Sequence, residues 1–183
     1  MNYRPLTDVW ILARPKVAYY GAYPAGFLHR ARALLGVSYD DPVLHVCSGC
    51  VRDYPYRGLG PNDRTVDLDP ALAPDFVQDV REPLPLPGVW SAILADPPYT
   101  SEDAAKYSIG SAVFPTAAET LKRCCEAVRP GGRVGILHYE WPRPPKDWQE
   151  VAVVAVGCGR GQRARWYTVF EQIGIGCSTS TPE

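Results

Sequence analysis

Four short apolar runs in the first half of the chain, PVLHV, TVDL, FVQ and WSAILA, each stop on or just before an acidic residue or a small-residue loop. They are too short for helices and lack the polar alternation of half-exposed strands. They therefore read as buried parallel strands whose carboxyl ends carry polar groups. RVGILHY, VAVVAV and WYTVFEQI add three more strands after position 132. Parallel strands need crossovers, so the pattern predicts an α/β fold with an open, mostly parallel, seven-stranded sheet. Helices are few. Pro24 to Leu35 places Phe27, Leu28, Ala31, Leu34 and Leu35 on one side, with His29, Arg30 and Arg32 opposite and Gly36 following. A second helix opens at Pro115-Thr116 and runs to about Val128, with Leu121, Cys125 and Val128 on one face and RPGG at 129–132 ending it.

The segment VRDYPYRGLGPNDR between the first two strands carries two prolines and two glycines, so it crosses over without a long helix, and PALAPD is shorter still. Strands buried on both faces need cover, so either the Pro24–Leu35 helix or a second subunit must cover one face, and a homodimer is expected. The 183 residues, 46% apolar and 21% charged, suffice for one domain over 1–177: an N-terminal segment and helix (1–40), a sheet core (41–177) and a flexible tail at 178–183. With 19 Lys+Arg against 20 Asp+Glu, no global positive field draws the chain to nucleic acid, so any polyanion contact is local. No apolar stretch approaches the roughly 20 residues of a membrane span. MNYRPLTDVWILARPK also lacks the pattern of a signal peptide, so a cytoplasmic protein with no membrane partner is expected. The six cysteines read as reduced thiols, and CSGC at 47–50 has no second ligand pair, so no metal is expected. His29, His45 and His138 form no H-x-E or HExxH pattern, which argues against a metal-dependent hydrolase.

The strand ends carry the chemistry. In an open α/β sheet a ligand sits at the carboxyl ends of the strands, where a small-residue loop lets it approach the backbone. HVCSGC at 45–50 has that position. Asp67 ends the second run with Asp69 two residues on, Asp79 and Val80 follow the third, and Asp96-Pro97-Pro98-Tyr99 follows the fourth. Singly, each acid reads as a loop residue or helix cap. In this order they form a polar rim.

This order resembles the class I S-adenosylmethionine-dependent methyltransferases, and within them the amino-methyltransferases with a (D/N/S)PP(Y/F) motif. It also resembles a compact subgroup of phage and actinobacterial type, in which a Lys-Tyr-Gly segment and a helix precede a His-x-x-Ser-Gly loop, here KVAYYGAYPAGFLHRARALLG and HVCSGC. The resemblance implies a Rossmann-like fold and S-adenosylmethionine as cofactor, released as S-adenosylhomocysteine. It places Ser48 and Gly49 against the methionine part, with Tyr20, His45 and Cys47 completing that set. Asp67, or Asp69 in a shifted register, would receive the ribose hydroxyls, and Asp79 with Val80 the adenine. The family pattern has two glycines, G-x-G, where this chain has Gly49 and then Val51.

The Asp96 side chain and the Pro97 carbonyl would accept from the amine to be methylated, Tyr99 would stack on its ring, and Pro97 and Pro98 would hold the backbone rigid. The first implied substrate is N6 of adenine in DNA, flipped out at a cost of a few kcal/mol. Alternatives are guanine N2 or adenine N6 in RNA, a small-molecule amine, or a non-catalytic cofactor-binding subunit. Arg160, Arg163 and Arg165, with Arg30 and Arg32 on the first helix, are the candidate phosphate contacts, a solvated basic loop being the plain alternative. The loop TSEDAAKYS is placed to fold over the substrate, although Glu102 and Asp103 would repel phosphate. No segment is left for a separate target-recognition domain.

Overall fold

The computed structural model describes residues 4–19, 21–106, 114–159 and 162–174. Its strands are β1 (Leu6–Leu12), β2 (Val43–Val46), β3 (Arg64–Asp67), β4 (Phe76–Val77), β5 (Trp90–Ala95), β6 (Val128–His138), β7 (Trp148–Cys158) and β8 (Arg165–Gln172). The α-helices are α1 (Phe27–Leu35), α2 (Ser101–Lys106) and α3 (Ala117–Ala127). Eight strands form one sheet in the order β1-β7-β8-β6-β5-β2-β3-β4, parallel throughout except that β8 runs antiparallel between β6 and β7.

The seven expected strands are all present, and β1 is the eighth. It pairs in parallel with β7, so part of the N-terminal segment belongs to the sheet rather than preceding it. The crossovers between β2 and β4 hold only 3-10 turns at Val51–Asp53 and Pro70–Leu72, as the prolines require. α3 is closed at its start by a capping box between Thr116 and Glu119 and ends at Ala127. RPGG is not a plain terminator. Val128 is already extended and pairs with Trp90, and regular pairing resumes at Arg133 opposite Ala92 after an irregularity in the ladder.

One chain covers both faces of the sheet. α1 lays Phe27, Leu28, Ala31 and Leu35 against Val43, Leu94, Leu137, Tyr167 and Val169 on one side. On the other, α3 lays Leu121, Cys124 and Ala127 against Leu44, Ile93, Val134, Ile136 and Phe170. The reason for expecting a second subunit is thereby removed over the middle of the sheet. It survives at the edge, where Val9 and Ile11 of β1 stay exposed.

α1 is fixed by charge as well as by apolar packing. Arg32, only 6% exposed, donates from Nη1 to both carboxylate oxygens of Asp63 at 2.9 Å and from Nη2 to the carbonyls of Ser38, Tyr39 and Asp41. His45 Nε2 meets Asp63 at 3.0 Å and the Gly60 N–H donates to the same carboxylate at 2.8 Å. Burial works to raise the Asp63 pKa, but these bonds outweigh it and hold the carboxyl below the usual aspartate range. Asp63→Ala leaves the Arg32 charge buried without its partner and is expected to cost about 3–5 kcal/mol in urea unfolding. Because the folded pKa is depressed, this stabilisation is present above the unfolded value of about 3.9 and is lost as the pH falls through the lower folded value. Unfolding of the wild type and the variant across that range checks it.

Candidate active site

β2, β3 and β4 run to one side of the sheet and β5 starts on the other, so the β2/β5 boundary is the switch point where strand order reverses. Two clefts open there, at the carboxyl ends of the parallel strands. The first is lined by the loops after β2 (Cys47–Val51), β3 (Asp67, Leu68) and β4 (Gln78–Arg81), and by Asp96 and Pro98. The second is lined by Asp96, Pro97, Pro98 and Tyr99 after β5, Tyr139 after β6, Cys158 ending β7, Arg163, Arg165 and Arg14. Asp96 and Pro98 belong to both. So do Tyr19, Gly21 and Ala22, on the strap that links β1 to α1.

The loop after β2 turns on two left-handed residues, Cys47 (φ 54°) and Gly49 (φ 51°). The partner of Gly49 in this turn is therefore Cys47 on its N-terminal side, not Val51. A Cβ on Gly49 would meet nothing within 4 Å. The bend is pinned by Asp67, whose two oxygens accept from the backbone N–H groups of Gly49 at 2.8 Å and Asp69 at 3.1 Å. A carboxylate has about four lone-pair sites, so one on each oxygen remains for a ligand. Asp69 instead caps the 3-10 turn at Ala71, and it does not line the cleft. Asp79 lines it and accepts four contacts from the N, Nε and Nη2 of Arg81, which hold its carboxyl below the usual range. Removal from water pushes the Cys47 thiol pKa well up, the nearby Asp67, Asp96 and Asp79 add to the rise, and the thiol stays protonated. The hydroxyls of Ser48 and Tyr23 are buried without a partner, and both residues line this cleft.

At the shared wall the Asp96 N–H donates to the Val46 carbonyl at 3.2 Å, tying the start of the tetrapeptide to β2. The Tyr99 hydroxyl donates to Asp96 and accepts from Arg165 Nη1 at 3.2 Å. The Tyr99 ring stands edge-on to His138 at 5.2 Å and against Tyr139 at 4.4 Å, and Arg163 lies 5.1 Å over Tyr139. Burial pushes the Asp96 pKa up to about 6, against the Arg165 charge and the Tyr99 bond. Burial pushes His138 down, keeping it neutral, and its Nδ1 accepts from the Glu140 N–H at 2.9 Å.

The structure thus brings Cys47, Ser48, Gly49, Asp67, Asp79 and Val80 into one cleft, and Pro97, Tyr99, Arg163 and Arg165 into the other, with Asp96 and Pro98 between. His45 and Arg32 do not line either cleft, because both are consumed by Asp63. Arg30 sits over the Trp10 ring at 5.7 Å and also lines neither. Tyr20 and Arg160 lie outside the described residues. Tyr19, the neighbour of Tyr20, lines both clefts, its pKa raised to about 12 by burial and by Cys50, Asp53 and Tyr54. Sequence reasoning missed Arg14, Tyr19, Gly21 and Tyr139, and the only signal for them was the length of chain between β1 and α1 and the aromatic ending of RVGILHY. The loop TSEDAAKYS holds α2, which presents Ala104 to the first cleft and Asp103 to the second.

No protein-family model matches the chain, and no curated protein matches it. Solved structures do. TrmN from Thermus thermophilus superposes with a TM-score of 0.61 at 19% identity, covering 84% of this chain and 50% of TrmN. Geranyl diphosphate C-methyltransferase from Streptomyces coelicolor A3(2), solved with Mg2+, geranyl diphosphate and S-adenosyl-L-homocysteine, superposes with a TM-score of 0.53 at 11% identity, covering 81% and 77%. The chain has the Rossmann-like methyltransferase fold. It spans half the length of TrmN. Among the described residues no helix is long and apolar enough to cross a membrane.

Gly49→Ala places a side chain at φ 51° with no atom in its way, so its cost is the left-handed backbone alone. A loss of about 1–2 kcal/mol in urea unfolding is expected.

Proposed function

We propose that this chain is an S-adenosylmethionine-dependent methyltransferase that methylates the exocyclic amine of a nucleobase, with N6 of adenine in DNA as the first substrate. The observation that carries the reading is the shared wall: Asp96 and Pro98 face both a cleft with a cofactor's donor set and a second, arginine-lined cleft.

The first cleft fits the cofactor. Asp67 keeps one acceptor site on each oxygen, as a ribose diol needs, and Ser48 and Tyr23 offer hydroxyls with no partner in the protein. The open space at Gly49 would admit the methionine part close to the backbone. Asp79, already engaged by Arg81, would meet the adenine only by sharing or exchanging one of those contacts, with Val80 beside it. Bound S-adenosylmethionine supplies an electrophilic methyl group on a positively charged sulfur.

The chain's own residues do the rest. An aromatic amine is a poor nucleophile because its lone pair is delocalised into the ring. Asp96 and the Pro97 carbonyl would accept its two N–H groups, draw the nitrogen toward a tetrahedral geometry and aim the lone pair at the first cleft. The two prolines keep those acceptors in place without an ordering cost at each turnover. Arg163 and Arg165 put positive charge in a chain of net charge −1, on the side where an anionic acceptor would enter. Asp103 in the same cleft works the other way and, among the alternatives, favours a small amine without phosphate. A non-catalytic cofactor-binding subunit remains the reading for a chain that binds the cofactor and transfers nothing.

Incubation with labelled cofactor and a panel of unmethylated duplex DNA, single-stranded DNA, RNA and nucleosides, followed by nucleoside mass spectrometry, tests the substrate. Label in N6-methyladenine from DNA is the expected outcome, and label in RNA guanine replaces the first substrate with the second. Asp96→Ala is expected to abolish transfer and leave cofactor binding by calorimetry largely intact; equal loss of both overturns the placement of the amine. The homodimer belongs to the same reading, through the exposed Val9 and Ile11 of the edge strand, and a monomeric mass in light scattering at micromolar concentration overturns it.

A further inference from the structure

The transfer chemistry leaves Arg165 without a part beyond its charge, although a hydrogen bond ties it to Tyr99 in the second cleft. β8 is antiparallel to its neighbours, so its first residue lies at the carboxyl edge of the sheet, next to Trp166, which pairs with His138 at the end of β6. From there Nη1 reaches the Tyr99 hydroxyl, 66 residues away in the chain, at 3.2 Å.

The direction of each bond follows from the donors available. A guanidinium only donates, so it takes a lone pair of the phenol oxygen, and the single phenolic proton is left to point at Asp96. Tyr99 cannot turn away freely, since His138 and Tyr139 hold its ring from two sides. The titratable groups felt by or facing Asp96 are Arg165, Tyr99, Tyr23 and Cys47; Arg14, Arg163 and Asp103 line the same cleft. Of these, Arg165 and Tyr99 favour the ionised carboxylate, and burial opposes them. A protonated Asp96 would itself carry a donor where an amine must find an acceptor.

We propose that Arg165 is a positioning residue: by its charge near Asp96 and by its hydrogen bond to the Tyr99 hydroxyl, it keeps Asp96 an ionised, acceptor-only group, with one oxygen held by Tyr99 and the other left for the incoming amine. This rests on Asp96 being the amine acceptor.

Carboxyl 13C NMR titration of the ligand-free protein, with the Asp96 signal identified by its loss in Asp96→Asn, reads the proposal without any substrate. The wild-type signal is expected to titrate near 6. In Arg165→Gln it should move up by about one unit or more. Arg165→Lys should restore most of that shift, and Tyr99→Phe should raise the value as well. The acid limb of kcat/KM should move in parallel across the four proteins while cofactor affinity by calorimetry stays unchanged, which a merely structural arginine would not produce. An Asp96 titration unmoved in Arg165→Gln overturns the proposal. If Arg165→Gln does not fold, Arg165→Met carries the same measurement. A shifted titration together with full activity of Asp96→Ala overturns the reading of Asp96 as acceptor and leaves the coupling of Arg165 to it standing.

Discussion

Arg32, Asp63 and His45 meet where α1, the loop before β3 and the middle of β2 converge, and their geometry positions much else. The two charges are almost fully buried, with side chains 7% and 1% exposed, so neither has water to fall back on. Such a pair contributes little net stability against an apolar substitute, but it admits very few arrangements. Arg32 must face Asp63 and must also reach three carbonyls of the 38–41 turn, which sets both the height and the rotation of α1 on the sheet. At the other end of the helix, Tyr54 donates to the Pro24 carbonyl at 2.6 Å and accepts from the Phe27 N–H at 3.2 Å. With both ends of α1 held, the strap leading into it has to cross the carboxyl edge of the sheet. That is how Tyr19, Gly21, Ala22 and Tyr23 come to wall the first cleft, and three of them the second as well.

Few helices are enough because the connections are stiff. Proline-rich turns leave the strand ends little freedom, and backbone bonds such as Asp96 N–H to Val46 and Ser48 N–H to Val66, both about 3 Å, tie neighbouring strand ends to each other. The rim of the sheet is thereby organised within the protein itself, which is what the proposed transfer between two bound molecules requires. The same rim gathers carboxylates, Asp67, Asp79 and Asp96, with protein partners for each: backbone N–H groups for Asp67, Arg81 for Asp79, Tyr99 with Arg165 for Asp96.

The buried strands were legible because burial on both faces removes polar alternation and leaves plain apolar runs. β1 was not, since only Trp10 and Leu12 of Leu6–Leu12 are buried, and an edge strand with Thr7 and Asp8 in it looks like ordinary loop. The two cleft faces were legible to the extent that they sit at strand ends. His45 and Arg32 line neither cleft for a physical reason: a side chain able to bind a ligand is equally able to satisfy a buried carboxylate, and composition does not say which partner lies nearer. Cys47 shows the reverse. Its left-handed backbone does the work of a glycine that the pattern lacks, and only the traced turn reveals it.

By itself the sequence determined the local matters: which runs become strands, that their ends carry Asp67, Asp79 and Asp96, and that two prolines stiffen the last of them. These depend on neighbours within a few residues. The tertiary structure alone decided which charged groups serve the core and which serve the clefts, and it alone brought Arg165 to Tyr99 and Arg32 to Asp63. Those pairings depend on strand order and on the antiparallel insertion of β8, which are set by burial summed over the whole sheet and leave no trace in any short stretch of chain.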